Sequence, residues 1–314
     1  MTVFRFPTLH WPIVVVVLFA ATGAHATVYQ WSSPVSGNFD DPSGWTPTSP
    51  PGPPGSLDGA LFGVTGEYVV SFGSPLVDNA RLLASHGSPT LDLASTRYNL
   101  TYPINSIVVG HVVGAHPRAT VINGQLRGVQ LTIADHAGGT GDLTISAGAS
   151  MTVTHSSYIG AAGSGVLQIA DGAIVDTSNT HVGFRPTTDT ITGVGRVTVR
   201  NGGWWREGNF VSIGAERGQG TVEILAGSTM DIGRLIDVGP SSEMRINGGT
   251  LVVTDPSVFR LRVAPGGRFS FIAGQIEFGA SYAFERGANT LRDLLGSTPI
   301  IQPRQNLLLP DGFL

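Results

Sequence analysis

The chain has no cysteine and no lysine; its 18 cations are all arginine, and only 13% of its residues are charged. Without cysteine there is no disulfide framework, thiolate metal site or thiol nucleophile. Without lysine there is no Schiff-base or lysine general-base chemistry. A net charge of −4 argues against a nucleic-acid partner. The hydrophobic fraction of 41% is too high, and the net charge too low, for a disordered chain. What is abundant is glycine, with 43 among 314 residues, roughly twice average usage. These glycines do not fall at every third position, which excludes collagen.

The first residues read as a targeting signal. Arg5 and His10 precede an apolar run from Trp11 to Ala21, and Ala24-His25-Ala26 has the small-residue pattern of a cleavage site. The run is shorter than the roughly 20 residues that span a bilayer. Residues 1–26 are therefore expected to be a signal peptide, the only part of the chain to meet a membrane. The expected mature protein is exported, to the cell surface, the medium or the periplasm.

The rest of the chain repeats. One mark is a pair of apolar residues two apart, followed by glycine: Leu143/Ile145 before Gly148, Leu167/Ile169 before Gly172, Val197/Val199 before Gly202, Val222/Ile224 before Gly227. Met244/Ile246 before Gly248 continues it, with Gly124 and Gly274 as weaker members. From Gly124 to Gly274 the spacings are 24, 24, 30, 25, 21 and 26. A second mark is an aliphatic residue directly before Gly or Ala, as in Ile159-Gly160, Val182-Gly183, Ile213-Gly214 and Val238-Gly239. From Val109 to Val263 its spacings are 24, 26, 23, 31, 25 and 25. Both series lengthen at the same place, where residues 185–191 suggest an outward loop.

Within each unit the apolar period is two, the period of a strand. Three short strands per unit, with turns at the glycines, make one coil of a stack that no single coil could stabilise alone. The expected fold is all-β: a single-stranded right-handed parallel β-helix, or β-solenoid, of roughly eight coils of about 24 residues. Residues 27–68, with Trp31, Phe39, Trp45 and a proline run, are expected to form an N-terminal aromatic cap. Residues 69–280 are expected to hold the solenoid. Residues 281–314 are expected to form a tail with a short helix at 289–295.

The signal-like start leads to Trp31, Gly37-Asn38-Phe39-Asp40-Asp41, Trp45 and Asp58-Gly59-Ala60-Leu61-Phe62. Repeats of the form G-x-L-x-I-x-x-G-A follow, clearest over 141–160, 165–183, 195–214 and 220–239. In this the chain resembles bacterial secreted β-solenoid proteins that carry autotransporter-passenger-like or PEP-CTERM-associated repeats. The resemblance implies an extracellular role, in a group mostly without assigned catalysis. Two features of such proteins are missing. No amphipathic strands of a membrane barrel follow the repeats, and no Pro-Glu-Pro motif follows Pro303.

The most conspicuous candidate site is Trp204-Trp205-Arg206-Glu207. Its phase after Gly202 points Trp205 inward, and Trp204 and Arg206 outward. An outward Trp on a flat β face could stack on a sugar ring, so Trp204 and Arg206 are the candidate ligand-binding residues, with a partly covered aromatic packing on its coil neighbours as the competing role for Trp204. Gly138-Gly139-Thr140-Gly141-Asp142 resembles a calcium-binding nonapeptide, but it occurs once, and that motif works in consecutive copies. Asp40, Asp41 and Asp58 read as turn residues. The eight His residues form no H-x-x-x-H or H-E-x-x-H pattern, so no metal, cofactor or catalytic residue is assigned. The acids of the coils read as scattered, sharing no register on neighbouring coils.

The expected function is that of an exported, non-catalytic β-solenoid, structural or adhesin-like, with surface glycans or envelope components as partners. A carbohydrate- or surface-binding module is the first alternative. A polysaccharide lyase or glycosidase on a β-helix is the second.

Overall fold

A computed structural model of the chain describes residues 27–47, 52–184, 192–215, 218–255 and 259–278. The expected signal peptide, the loop at 185–191 and the tail with its helix at 289–295 lie outside the described residues.

The chain is 59% strand, and its strands stack in parallel as a β-solenoid. Three ladders run along it. The first joins Val28–Trp31, Gly59–Phe62, Arg81–Ala84 and Ile107–Val109, and then residues 131–133, 156–159, 179–182 and 210–213. It ends with Leu235–Val238 and Arg260–Val263. The second runs from Gly37–Asn38 through Glu67–Ser71, Ser88–Asp92, Arg118–Ile122, Thr140–Ser146, Ser164–Ile169, Val194–Val199 and Gln219–Leu225 to residues 243–247 and 268–273. The third starts at Leu76–Asn79 and Arg97–Leu100, and passes through residues 125–128, 150–152, 174–177 and 204–207. It continues through Thr229–Ile232 to 250–253 and 275–278. From Arg81 to Phe278 this makes about eight turns.

The register explains the repeat. Leu143, Leu167, Val197, Val222 and Met244 are consecutive partners in the second ladder. Met151, Val175, Trp205, Met230 and Leu251 are consecutive partners in the third. Ile159, Val182, Ile213 and Val238 do the same in the first. All are buried, and together they form one continuous column. Fully burying one such side chain contributes about 1.5–3 kcal/mol, so the column is the main favourable term. Trp205 lies inward, as its phase predicts, and its indole Nε1 donates to Thr177 Oγ1 at 2.7 Å.

The aromatic cluster sits at the N-terminal end. Trp45 meets Trp31 edge-on at 5.1 Å and Phe39 at 5.0 Å, and Phe39 stacks on Phe72 at 4.6 Å. Trp45 Nε1 donates to Phe39 O at 2.8 Å, so the buried indole keeps a partner. The parallel ladder also runs through the segment expected to be the cap alone. Val28–Trp31 pairs with Gly59–Phe62, and Gly59–Phe62 with Arg81–Ala84. Only Trp45–Thr46 departs, pairing antiparallel with Gln30 and Trp31. Aromatic rings thus close the column from within a coil that belongs to the stack. Asp41 accepts from Ser43 N at 2.9 Å, and Asp58 accepts from Gly55 N at 2.9 Å and Thr27 N at 3.0 Å. Asp41 thus serves a turn, and Asp58 both closes the turn from Gly55 and holds Thr27.

The two recurrent glycines do different work. Gly227 has φ +73°, and a Cβ there would meet nothing within 4 Å; only the left-handed backbone requires it. Gly183 has φ +67°, and a Cβ there would lie 1.8 Å from the Gln219 carbonyl oxygen on the next coil. The backbones of successive coils touch at this corner, so a side chain would push them apart. Gly227→Ala is expected to cost about 1–2 kcal/mol for the left-handed conformation. Gly183→Ala adds an overlap and is expected to cost about 3 kcal/mol or more. Urea-unfolding midpoints of the two variants compare them; equal losses would refute the close-approach role of the second corner.

Candidate functional site

The strand Trp204–Ile213 carries the predicted site residues. Alternation puts Trp205 in the core and leaves Trp204 and Arg206 on the third face, where the structure brings them together. The Arg206 guanidinium lies over the Trp204 ring, 4.2 Å from its centroid. Its Nη1 also reaches Asp176 Oδ1 at 3.6 Å. The Trp204 side chain and the Arg206 charge both pull the Asp231 carboxyl downward. Trp204 is 37% exposed, so it remains open to solvent with one face taken by the guanidinium.

No two acids face each other in register on neighbouring coils along this row, but acids on alternate coils share it with a base between them. Asp176 pairs in register with Arg206, and Arg206 with Asp231. One position further along the same row come Val252 and then Glu277. The signal was present in the sequence: Asp176, Arg206 and Asp231 each lie four residues after a corner glycine (Gly172, Gly202, Gly227). Counting from the glycine to the outward positions, and not only to the inward ones, finds this row. Its chemistry is that of an acid–base–acid brace. Burial pushes the Asp231 carboxyl above its ordinary range, against the opposing pull of Trp204 and Arg206. Hydrolysis by a carboxylate pair needs one free acid and one free base, whereas Arg206 stands between these two carboxylates.

The second face carries a similar brace. Glu223 takes Arg196 at 3.2 Å and Arg245 at 3.6 Å, and Arg245 also holds Glu243 at 2.9 Å. Each ion pair joins a coil to its neighbour or closes within one. Among the described residues, no group of three or more His, Asp or Glu is placed to hold a metal ion.

Glu207, the last residue of the conspicuous cluster, is the surprise. It is only 2% exposed. It sits at the bend between the third and first ladders, where Thr177 and Thr180 both donate to its Oε2 at 2.7 Å. The Asn209 amide donates to Oε1 at 3.2 Å. Trp205 Nε1 donates in turn to Thr177. In the list of coil acids it reads as one more scattered carboxylate, yet its phase, five residues after Gly202 and in register with the buried Ile232, is the inward one. Burial raises its carboxyl to about 7, and the donors from Thr180, Thr177 and the backbone only partly oppose that.

Comparison with known proteins gives no match: no family model fits the chain, and no curated protein or solved structure is significantly similar to it.

The Glu207 cage makes stability depend on pH. Its folded pKa lies above the ordinary 4.5, so the folded state holds a proton that the unfolded state has already released. Its contribution is therefore full below about pH 4.5 and is lost as pH rises through 7, by about 3 kcal/mol in all. Glu207→Gln keeps the shape and cannot ionise. Its stability, measured by urea titration between pH 4.5 and 8, is expected to lack most of this fall. Parallel curves for the two proteins would refute a proton on Glu207.

Proposed function

We propose that the chain is an exported, non-catalytic β-solenoid that serves as a structural or adhesin-like protein at the cell surface or outside the cell. The carrying observation is where the outward charges go. The Asp176–Arg206–Asp231 row and the Glu223, Arg245, Glu243 and Arg196 cluster direct their charge at one another. Such pairs brace coil against coil and leave no free acid–base couple in those rows. The signal-like residues 1–26 and the resemblance to secreted solenoid proteins support the address. Surface glycans or envelope components are the partners this reading suggests, and the negative net charge speaks against nucleic acid.

A second reading, a carbohydrate-binding module working through Trp204 and Arg206, is favoured by the exposure of the Trp204 ring. Against it, Arg206 already occupies one face of that ring.

Fractionation of the native source, with mass spectrometry of the recovered chain, tests the main reading. The expected result is a protein beginning at Thr27 in the envelope or extracellular fraction. Full-length protein confined to the cytoplasm would overturn it. Glycan-array binding that Trp204→Ala abolishes would replace it with the second reading.

A further inference from the structure

On the first face the outward row is not braced. The residues directly before the second-mark aliphatics, namely Tyr158, His181, Ser212, Asp237 and Arg262, are consecutive register partners. Two positions earlier, Asn179, Phe210, Leu235 and Arg260 form a parallel row. Both rows open into a cleft of about 700 Å³, whose lining includes His181, Phe184, Phe210, Ser212, Leu235 and Asp237. That volume lies within the usual range for small-ligand sites, which is about 300–1,000 Å³.

One end of the cleft is aromatic. His181 meets Phe210 edge-on at 5.2 Å and Phe184 at 5.1 Å, and stacks on Tyr158 at 5.0 Å with 5° between planes. The floor is polar and unspent. His181 Nδ1 is buried without a hydrogen-bond partner, and burial holds the imidazole below its ordinary pKa. The side chains of Ser212 and Asp237 have no hydrogen bond or ion pair among the described residues. On a molecule whose other outward acids are mostly paired, an unpaired carboxylate between apolar walls marks a place made for something else.

Acyl-transfer chemistry does not fit these residues. The row order is His, Ser, Asp, which places Asp237 two rungs from His181, about 9.6 Å away by the strand spacing. A carboxylate must touch the imidazole to orient it, and the imidazole must touch the hydroxyl. No hydrogen bond joins any of the three.

Binding chemistry fits better. Aromatic rings offer flat apolar faces to the C–H face of a sugar, while the hydroxyl and imidazole offer hydrogen bonds to its hydroxyls. The unpaired carboxylate selects the charge. We propose that the first-face cleft binds a saccharide carrying a protonated amine, its ring against Phe210 and Phe184 and its ammonium on Asp237. This goes beyond the structural role and does not depend on where the protein resides.

Isothermal titration of the full chain with three tetrasaccharides tests it: fully deacetylated glucosamine, N-acetylglucosamine and galacturonate. The glucosamine tetramer is expected to bind at least tenfold more tightly than its N-acetylated counterpart, and the galacturonate tetramer not at all. Asp237→Asn should abolish the tenfold preference. Phe210→Ala should weaken binding of the glucosamine tetramer at least tenfold while leaving the thermal unfolding cooperative. Trp204→Ala should leave binding unchanged, because it lies on another face. The proposal is overturned if the wild-type chain binds none of the tetramers. It is equally overturned if neither Asp237→Asn nor Phe210→Ala changes the binding, or if Trp204→Ala alone abolishes it. Any of these results would leave the fractionation outcome, and the structural role, untouched.

Discussion

Everything in this molecule depends on one constraint: each coil must lie in parallel register on the next, about 4.8 Å away, over its whole circumference. A coil alone has an apolar inner side with nothing to cover it and strand edges with nothing to bond. Stacking solves both at once, but only if the same turns recur at the same places. The corners are where this requirement is strictest. Gly183 must accept the Gln219 carbonyl against its Cα, and Gly160 accepts that of Val194 in the same way. The glycine content that first looks like looseness is thus the consequence of a tightly repeated backbone. The lack of Cys and Lys fits the same design, since cohesion comes from backbone ladders and an aliphatic column.

The aromatic rings answer a different need, that of an end. A stack has two terminal coils whose column would otherwise face water. At the N-terminal end Trp31, Phe39 and Trp45 fill the column, and short, turn-rich segments surround them. Gly44 lies so close to the Trp31 ring that a Cβ would come within 2.8 Å of it. The Trp31 ring and that glycine therefore fit as a pair. At the other end of the described coils, the inward Leu261, Val263, Phe269 and Ile276 are only partly buried. Their column neighbours Ile236, Val238, Met244 and Leu251, one coil earlier, are buried.

The fold was legible because two marks with a shared period can have few explanations. The pairs Leu143/Ile145 and Val197/Val199 located the second ladder, the Ile159-Gly160 and Val182-Gly183 steps the first, and the phase after each glycine the third. The N-terminal rungs were less legible. Val28–Trp31 and Gly59–Phe62 belong to the first ladder, yet aromatic residues replace the aliphatic mark there, and a proline run interrupts the period. The candidate site was legible only in part. Trp204 and Arg206 were found because an exposed Trp is conspicuous in any alternating strand. Asp176 and Asp231 were missed because they are far apart in sequence, and only a count from each glycine aligns them. Glu207 falls on the inward phase, five residues after Gly202 and in register with the buried Ile232, so its burial was legible; its cage was not, because Thr177 and Thr180 lie 30 and 27 residues away in sequence.

The outward rows have a consequence for how such a rod gains function. In a solenoid, the register that stacks the core also stacks the surface, so one substitution per coil builds a line of side chains along the axis. If neighbours in a line have opposite charge, they neutralise one another, as Asp176, Arg206 and Asp231 do. If they do not, the line keeps unspent hydrogen-bonding capacity that only a ligand or water can use, because the backbone groups are already committed to the ladders. The first face is of the second kind: His181, Ser212 and Asp237 stand in line beside Phe210, and Arg262, the register neighbour of Asp237, makes no ion pair with it. Rigidity then favours binding, because the lining side chains stand on strands held from above and below and lose little freedom when a ligand arrives. Register neighbours can reach one another, as Thr177 and Glu207 do at 2.7 Å, but His181, Ser212 and Asp237 share no hydrogen bond among the described residues. This row therefore presents its groups to a ligand and holds no hydrogen-bonded path along itself.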